Sequence, residues 1–137
     1  MELYKTTKYY DILVSEDKKI MEVKWKKNII ELLEDEYKKV ALEAFLHTFD
    51  IKPEFILQDT TEAVYPLTPD LQEWLLKNIT EKIVQKVGVK KIAYLIPKDI
   101  LTKLGLEQLI NKANIEIKNI IRLYFDDYQK AIDWLRS

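Results

Sequence analysis

Two strand-length apolar segments of this sequence are separated by one long amphipathic segment. Residues 55–57 form the first apolar run, which lies between Pro53 and a polar Asp-Thr-Thr sequence. Residues 91–96 form the second run, which ends at Pro97. Continuous apolar runs of this length are typical of strands that are buried on both faces. Because parallel strands need a long crossover connection, the pattern predicts a parallel pair joined by a helix.

The segment between these runs carries the clearest helix signals in the chain. Thr68 is suited to the N-cap, Pro69 to the first helical position, and Gly88 to the residue after the helix end. An apolar stripe at helical spacing consists of Leu71, Leu75, Ile79, Ile83 and Val87. These residues predict a helix from Pro69 to about Val87.

The rest of the chain continues the alternation of strands and helices. Period-two patterns over residues 10–14 and 21–25, with a short polar turn between them, predict an antiparallel hairpin. Further predicted elements are helices over 34–49 and from 126 or 127 to the C-terminus, a helical region over 98–112 broken at Gly105, and a strand over 119–125. The predicted order is therefore ββαβαβαβα. We interpret it as one α/β domain over residues 1–137, with a mixed, mostly parallel sheet of about five strands and an N-terminal antiparallel hairpin.

Composition excludes several kinds of chemistry. The chain has no cysteine, which excludes disulfides, thiolate nucleophiles and zinc–sulfur sites. It has one histidine, His47, and two glycines, which argue against multi-histidine metal sites and glycine-rich phosphate loops. The formal net charge of −1 offers no electrostatic attraction for nucleic acid. We therefore expect a non-enzymatic protein with no cofactor, no bound metal and no nucleic-acid partner.

The N-terminal sequence and the apolar runs bear on the cellular location. The first residues contain no apolar core of a signal peptide. No apolar run approaches the roughly 18 residues that a membrane-spanning helix needs. These features predict a cytoplasmic protein without membrane insertion.

The order of elements, at this length, resembles the STAS domain, which is named for sulfate transporters and anti-sigma factor antagonists. It is most similar to the small bacterial SpoIIAA-like branch, often described as STAS/SEC14-like. The family signature begins with an aspartate at the end of the third strand, a position that Asp59 matches. Its Asp-Ser-Ser-Gly sequence falls on residues 67–70, here Leu-Thr-Pro-Asp. The resemblance implies a regulatory module, but one in which Pro69 replaces the family's phosphoacceptor serine.

A polar site is predicted where the central strand ends. Asp59, Thr60 and Thr61 follow the first apolar run, and Thr68 begins the next helix. In open α/β sheets, ligands bind beyond the carboxyl ends of the strands. The same residue types also cap helices and form turns, so a purely structural role is the alternative. A phosphoacceptor role of Asp59 lacks the acidic pair and the lysine that such receiver sites use.

The aromatic residues indicate a surface as a second kind of site. Trp74 lies about one position off the apolar stripe of its predicted helix. Aromatic residues at a stripe edge suit an interface or a pocket rim, and they equally suit a helix flank packed on a sheet. We therefore expect a protein-interaction module, with a protein partner or a homodimer, in which Trp74 contributes to binding.

The alternative function is a carrier of a small apolar, lipid-like ligand, which the SEC14-like kinship implies. The two functions differ in what the core should contain. An interaction module should have a filled core and an exposed apolar patch. A carrier should have a pocket of several hundred Å³ (about 300–1,000 Å³).

Overall fold

Six strands form one mixed sheet in the computed structural model, which describes residues 1–137. The strands are β1 (Glu2–Thr6), β2 (Tyr10–Val14), β3 (Ile20–Trp25), β4 (Phe55–Asp59), β5 (Lys91–Leu95) and β6 (Ile121–Phe125). They lie in the order β1-β2-β3-β4-β5-β6. The first three strands pair antiparallel, and β3 to β6 pair parallel. The predicted α/β class, the β2–β3 hairpin and the largely parallel remainder are therefore confirmed.

The predicted number of about five strands is too low by one. The missed strand is β1, which pairs antiparallel with β2 at the edge of the sheet. All five of its residues are exposed. Because no apolar alternation marks a strand whose two faces both meet solvent, the sequence pattern carried no signal for it.

The helices lie on both faces of the sheet. They are α1 (Glu34–Leu46), α2 (Thr48–Ile51), α3 (Pro69–Leu75), α4 (Gln85–Val87), α5 (Ile100–Glu116) and α6 (Tyr128–Leu135). The connections between sequential parallel strands place their helices on one side, which we call the first face. Residues from α1, α3 and α5 form one apolar cluster there, whereas α6 packs on the opposite, second face.

One continuous helix spans residues 69–87, as predicted, but its centre is not α-helical. Thr68 caps its N-terminus, since the hydroxyl oxygen accepts a hydrogen bond from the Leu71 amide. Between α3 and α4, the segment Leu76–Val84 has π-helical geometry. Such wider turns are rare and occur frequently at functional sites. The helix ends at Gly88, whose φ of 88° is in the left-handed region that glycine tolerates.

The predicted break at Gly105 is wrong, because α5 runs through this residue without interruption. Gly105 instead allows a close approach of two segments. A Cβ atom at this position would lie 2.9 Å from the Leu67 Cβ atom. The glycine therefore lets the loop before α3 pack against α5, at a cost in helix propensity of roughly 1 kcal/mol.

The alternation along each strand divides the core into two layers. Ile56 and Ile92 belong to the larger cluster on the first face, and Leu57 and Ala93 to the smaller one on the second face. The smaller cluster also contains Ala131 and Leu135 of α6, which are fully buried. None of the helices has the length and apolar character required to cross a bilayer.

Candidate functional site

An apolar pocket lies between the first face of the sheet and the helices that cover it. Fourteen of its nineteen lining residues are hydrophobic. The interior of the pocket measures about 80 Å³, and the empty space that includes its open mouth measures about 730 Å³. Its walls come from β3, β4 and β5, from α1, the 69–87 helix and α5, and from the loops that follow β3, β4 and β5.

Small and kinked elements leave this space unfilled. Ala41 is the α1 residue at the middle of the wall, and its methyl group fills little of the gap. On the opposite wall, Leu76, Ile79 and Thr80 belong to the π-helical segment. Tyr37 and Thr80 line the pocket and are partly exposed, so α1 and the 69–87 helix form its rim.

Tyr65, in the loop after β4, connects the segment before α1 with α5 at one end of the pocket. Its hydroxyl donates a hydrogen bond to the Leu32 carbonyl (2.9 Å), and its backbone amide donates to the Thr102 hydroxyl oxygen (3.1 Å). The Tyr65 ring stacks on Tyr37, with 4.2 Å between ring centroids. Burial raises the pKa of both phenols. The contacts fix the position of the Tyr65 ring, and the raised pKa values keep both phenols neutral.

Polar groups on the floor of the pocket come from neighbouring strands. Gln58 of β4 lies directly opposite Tyr94 of β5 in the parallel register, and both line the pocket. The Trp25 indole N–H donates to the Gln58 side-chain oxygen (3.0 Å). Burial raises the pKa of Tyr94, and the nearby Arg122 guanidinium opposes that rise. The floor therefore presents neutral polar groups within apolar walls.

The five residues predicted as a site lie in two groups along the chain, one at the end of β4 (Asp59, Thr60 and Thr61) and one at the next helix (Thr68 and Trp74). Of these five, Thr60 alone lines the pocket, and its hydroxyl donates to the Leu95 carbonyl. Asp59 points to the second face, where its carboxylate accepts the Thr61 amide (3.0 Å). The Thr61 carbonyl accepts the amide of Lys98 (3.1 Å). In this structure these three residues act as turn and strand-end groups.

Thr68 and Trp74 lie at the 69–87 helix, away from the lining. Thr68 is the N-cap of α3. Trp74 is partly buried against the larger cluster, and the Lys38 ammonium lies 5.4 Å from the centre of its ring. A role of either residue in partner binding stays a prediction.

A second polar cluster occupies the α6 side of the sheet. Glu22 is 5% exposed and accepts a hydrogen bond from the Tyr128 hydroxyl (2.7 Å). Burial raises the pKa of Glu22, and the nearby Asp59 carboxylate adds to the rise. The side chain of Glu22 is thus buried with a donor that the same chain supplies.

Sequence reasoning missed Gln58, Tyr94 and Arg122. Each of them interrupts, or closely follows, apolar residues within a strand. A polar residue on the buried face of a strand is a usable signal, because burial without a partner is costly. The prediction used the apolar runs to locate the strands. It did not consider which face of a strand each polar residue within it would occupy.

Comparisons of this chain with protein-family models, with curated proteins and with solved structures found no match. The resemblance to STAS domains therefore stays a prediction.

Proposed function

We propose that the protein binds a small apolar ligand in the pocket on the first face of the sheet, as a carrier or ligand-responsive regulator without catalytic activity. The observation that carries this proposal is the pocket itself. Closely packed cores contain few voids larger than a water molecule. Here an apolar cavity persists between the sheet and its helices in a chain of only 137 residues.

The lining of the pocket suits such a ligand, and the volume of its interior limits the ligand's size. Small-molecule sites are concave and mostly apolar, with a few placed polar groups, and measure about 300–1,000 Å³. The interior of this pocket, about 80 Å³, is below that range, and only the space that includes the open mouth, about 730 Å³, reaches it. The ligand is therefore small, with part of its length at the rim formed by α1 and the 69–87 helix.

A neutral fluorescent probe tests this proposal. We expect N-phenylnaphthylamine, which brightens in apolar surroundings, to bind the wild-type protein saturably at one site. Ala41→Leu places three more carbon atoms in the pocket and should weaken binding about tenfold or more, because the added atoms occupy the ligand's space. Equal binding to this variant, or no binding to the wild type, contradicts the proposal.

A matched control separates the pocket from the surface. Leu101 is 76% exposed and does not line the pocket. Leu101→Ser removes an exposed apolar side chain to which the probe could bind non-specifically. Binding to this variant should equal binding to the wild type, with thermal melts showing that both variants are folded.

A protein-interaction module is the second candidate, and one surface favours it. Ile100, Leu101 and Leu104 at the start of α5 are 73%, 76% and 51% exposed. Adjacent exposed apolar side chains often mark an interaction surface. Sedimentation velocity on the wild type and on Leu101→Ser tests this candidate, which requires an associating wild type and a weakened variant.

A further inference from the structure

Four polar side chains from successive strands cross the first face of the sheet. They are Trp25 on β3, Gln58 on β4, Tyr94 on β5 and Arg122 on β6, and we call them the polar row. Gln58 faces Tyr94 directly in the register, and Tyr94 faces Tyr124, two residues beyond Arg122 on the same side of β6. Gln58 and Tyr94 are therefore direct cross-strand neighbours, and Arg122, which lies opposite Ile92, is diagonal to Tyr94 on the same face.

The chemistry of Trp25 determines which way the Gln58 amide points. An indole N–H can only donate, so the side-chain oxygen of Gln58 must face it. The amide nitrogen is then turned away from Trp25, with two N–H donors and no acceptor within the protein. Because Gln58 lines the pocket, these donors are available to a ligand.

Arg122 holds a positive charge within the core. It is 2% exposed, and its Nη1 atom donates to the carbonyls of Ile117 and Ile120, each at 3.1 Å. Its Nε and Nη2 atoms have no hydrogen-bond partner. No carboxylate forms an ion pair with it. A buried cation without a counter-charge is strongly unfavourable.

Tyr94 connects Arg122 to the pocket. Tyr94 lines the pocket, and Arg122, which does not line it, lies beside Tyr94. The Tyr94 hydroxyl donates to no acceptor in the protein, so its proton is free for a ligand. A neighbouring guanidinium strengthens that donor, because hydrogen bonds to charged groups polarise the groups they join.

The groups of the polar row that have no partner in the protein are therefore all hydrogen-bond donors, and the Arg122 guanidinium among them is positively charged. We propose that the pocket binds an apolar carboxylic acid, with the carboxylate held by the Gln58 amide and the Tyr94 hydroxyl while Arg122 supplies the counter-charge. The apolar part of the ligand then lies against α1 and the 69–87 helix. This inference rests on the proposed function, and it adds the chemical class of the ligand.

Octanoic acid and octanol distinguish the head group from the chain. Both are measured by displacement of N-phenylnaphthylamine at neutral pH. We expect the acid to bind about tenfold or more tightly than the alcohol, because it alone provides a charged acceptor. Equal affinities overturn the inference and leave the proposed function intact. Failure of the probe and of both ligands to bind contradicts the proposed function itself.

Gln58→Glu is the decisive variant, because it replaces the amide donors with a carboxylate of the same size. A glutamate oxygen still accepts the Trp25 N–H, so the fold and pocket size are retained. The substitution removes two donors and adds a negative charge. It should abolish the preference for the acid and leave octanol affinity within about twofold. An unchanged preference for the acid contradicts a role of Gln58.

Arg122→Met gives an independent readout of the counter-charge. Methionine is unbranched and similar in length, and it carries no charge. We expect the acid to lose about tenfold in affinity and octanol to remain unchanged. If the variant weakens both ligands equally, Arg122 acts only by positioning the turn that contains Ile117 and Ile120. If it does not fold, the wild-type comparison and Gln58→Glu still decide the inference.

Discussion

The two faces of the sheet differ in how far their buried polar side chains are hydrogen-bonded within the protein. On the second face, the Glu22 carboxylate is almost fully buried and receives a hydrogen bond from Tyr128. On the first face, Arg122 is equally buried, but two of its nitrogens have no partner. The chain therefore completes one polar group from its own residues and leaves the other incomplete.

The apolar packing also differs between the two faces, since the second face is filled and the first face borders a pocket. Ala131 and Leu135 pack against the second face without leaving a comparable pocket. Ala41 on the first face borders the pocket. An unfilled space and unpaired donors thus occur on the same face, and the proposed ligand site rests on this coincidence. The second face is structural by the same reasoning.

The largest expected effect is the loss of folding when either face of β4 receives a charge. Ile56 faces the first layer and Leu57 the second, and both are fully buried. Ile56→Asp and Leu57→Asp should each unfold the protein, because an unpaired buried carboxylate costs several kcal/mol against a total stability of about 5–15 kcal/mol. Circular dichroism melts measure the outcome.

The matched control for these variants is Ile115→Asp. Ile115 is 71% exposed, so the same chemical change should lower the melting temperature only slightly. A cooperative melt of Ile56→Asp near the wild-type temperature would mean that water from the pocket reaches this strand.

A smaller effect distinguishes the filled face from the unfilled one. Ala131→Leu should destabilise the protein by about 1–3 kcal/mol, because the second face has no room for three more carbon atoms. Ala41→Leu should be neutral or slightly stabilising, because the pocket receives them. Chemical denaturation compares the two. Equal losses would show that the pocket closes in solution.

The hydrogen bond of the second face is tested by Tyr128→Phe. Its removal leaves the buried Glu22 carboxylate without this donor, at a cost of about 1 kcal/mol near neutral pH. The cost should shrink in acid, since a protonated carboxyl needs the donor less. A variant as stable as the wild type at every pH would mean that water replaces the hydroxyl.

The smallest effect is a change in the pH dependence of unfolding. Because burial raises the pKa of Glu22, the folded chain holds a proton where the unfolded chain has lost it. Its contribution to stability therefore falls as pH rises from the ordinary value of 4.5 through the raised pKa. Glu22→Gln should remove this decline and be equally or slightly more stable near neutral pH.

Glu54→Gln is the control with the opposite sign. The Lys90 ammonium lowers the pKa of Glu54, so this carboxylate contributes stability that is lost as pH falls. In Glu54→Gln, the free energy of unfolding should therefore decline less as pH falls than it does in the wild type. Identical profiles for both glutamine variants would contradict the assigned environments.

Local sequence signals predicted the elements that local forces determine. The Thr68 cap and the apolar stripe correctly placed the 69–87 helix, because its signals lie within the segment. The break predicted at Gly105 was wrong because the role of this glycine depends on Leu67, which is distant in sequence. The π-helical geometry of Leu76–Val84 has no residue signature of its own.

The site was predictable only in its general location. The carboxyl end of β4 does border the pocket, through Thr60. The polar row could not be predicted, because it exists only once four strands are in register. Without the register, Gln58 and Arg122 are isolated polar residues in two strands that are 62 positions apart at their nearest ends.

The most direct measurement of the central claim is native mass spectrometry of the protein purified gently from its own host. We expect a fraction of the chain to carry one small additional mass, which denaturation releases as a carboxylic acid. Ala41→Leu, prepared in the same way, should carry none. The bare mass of the chain in both preparations, together with no binding of added octanoic acid, would contradict the account.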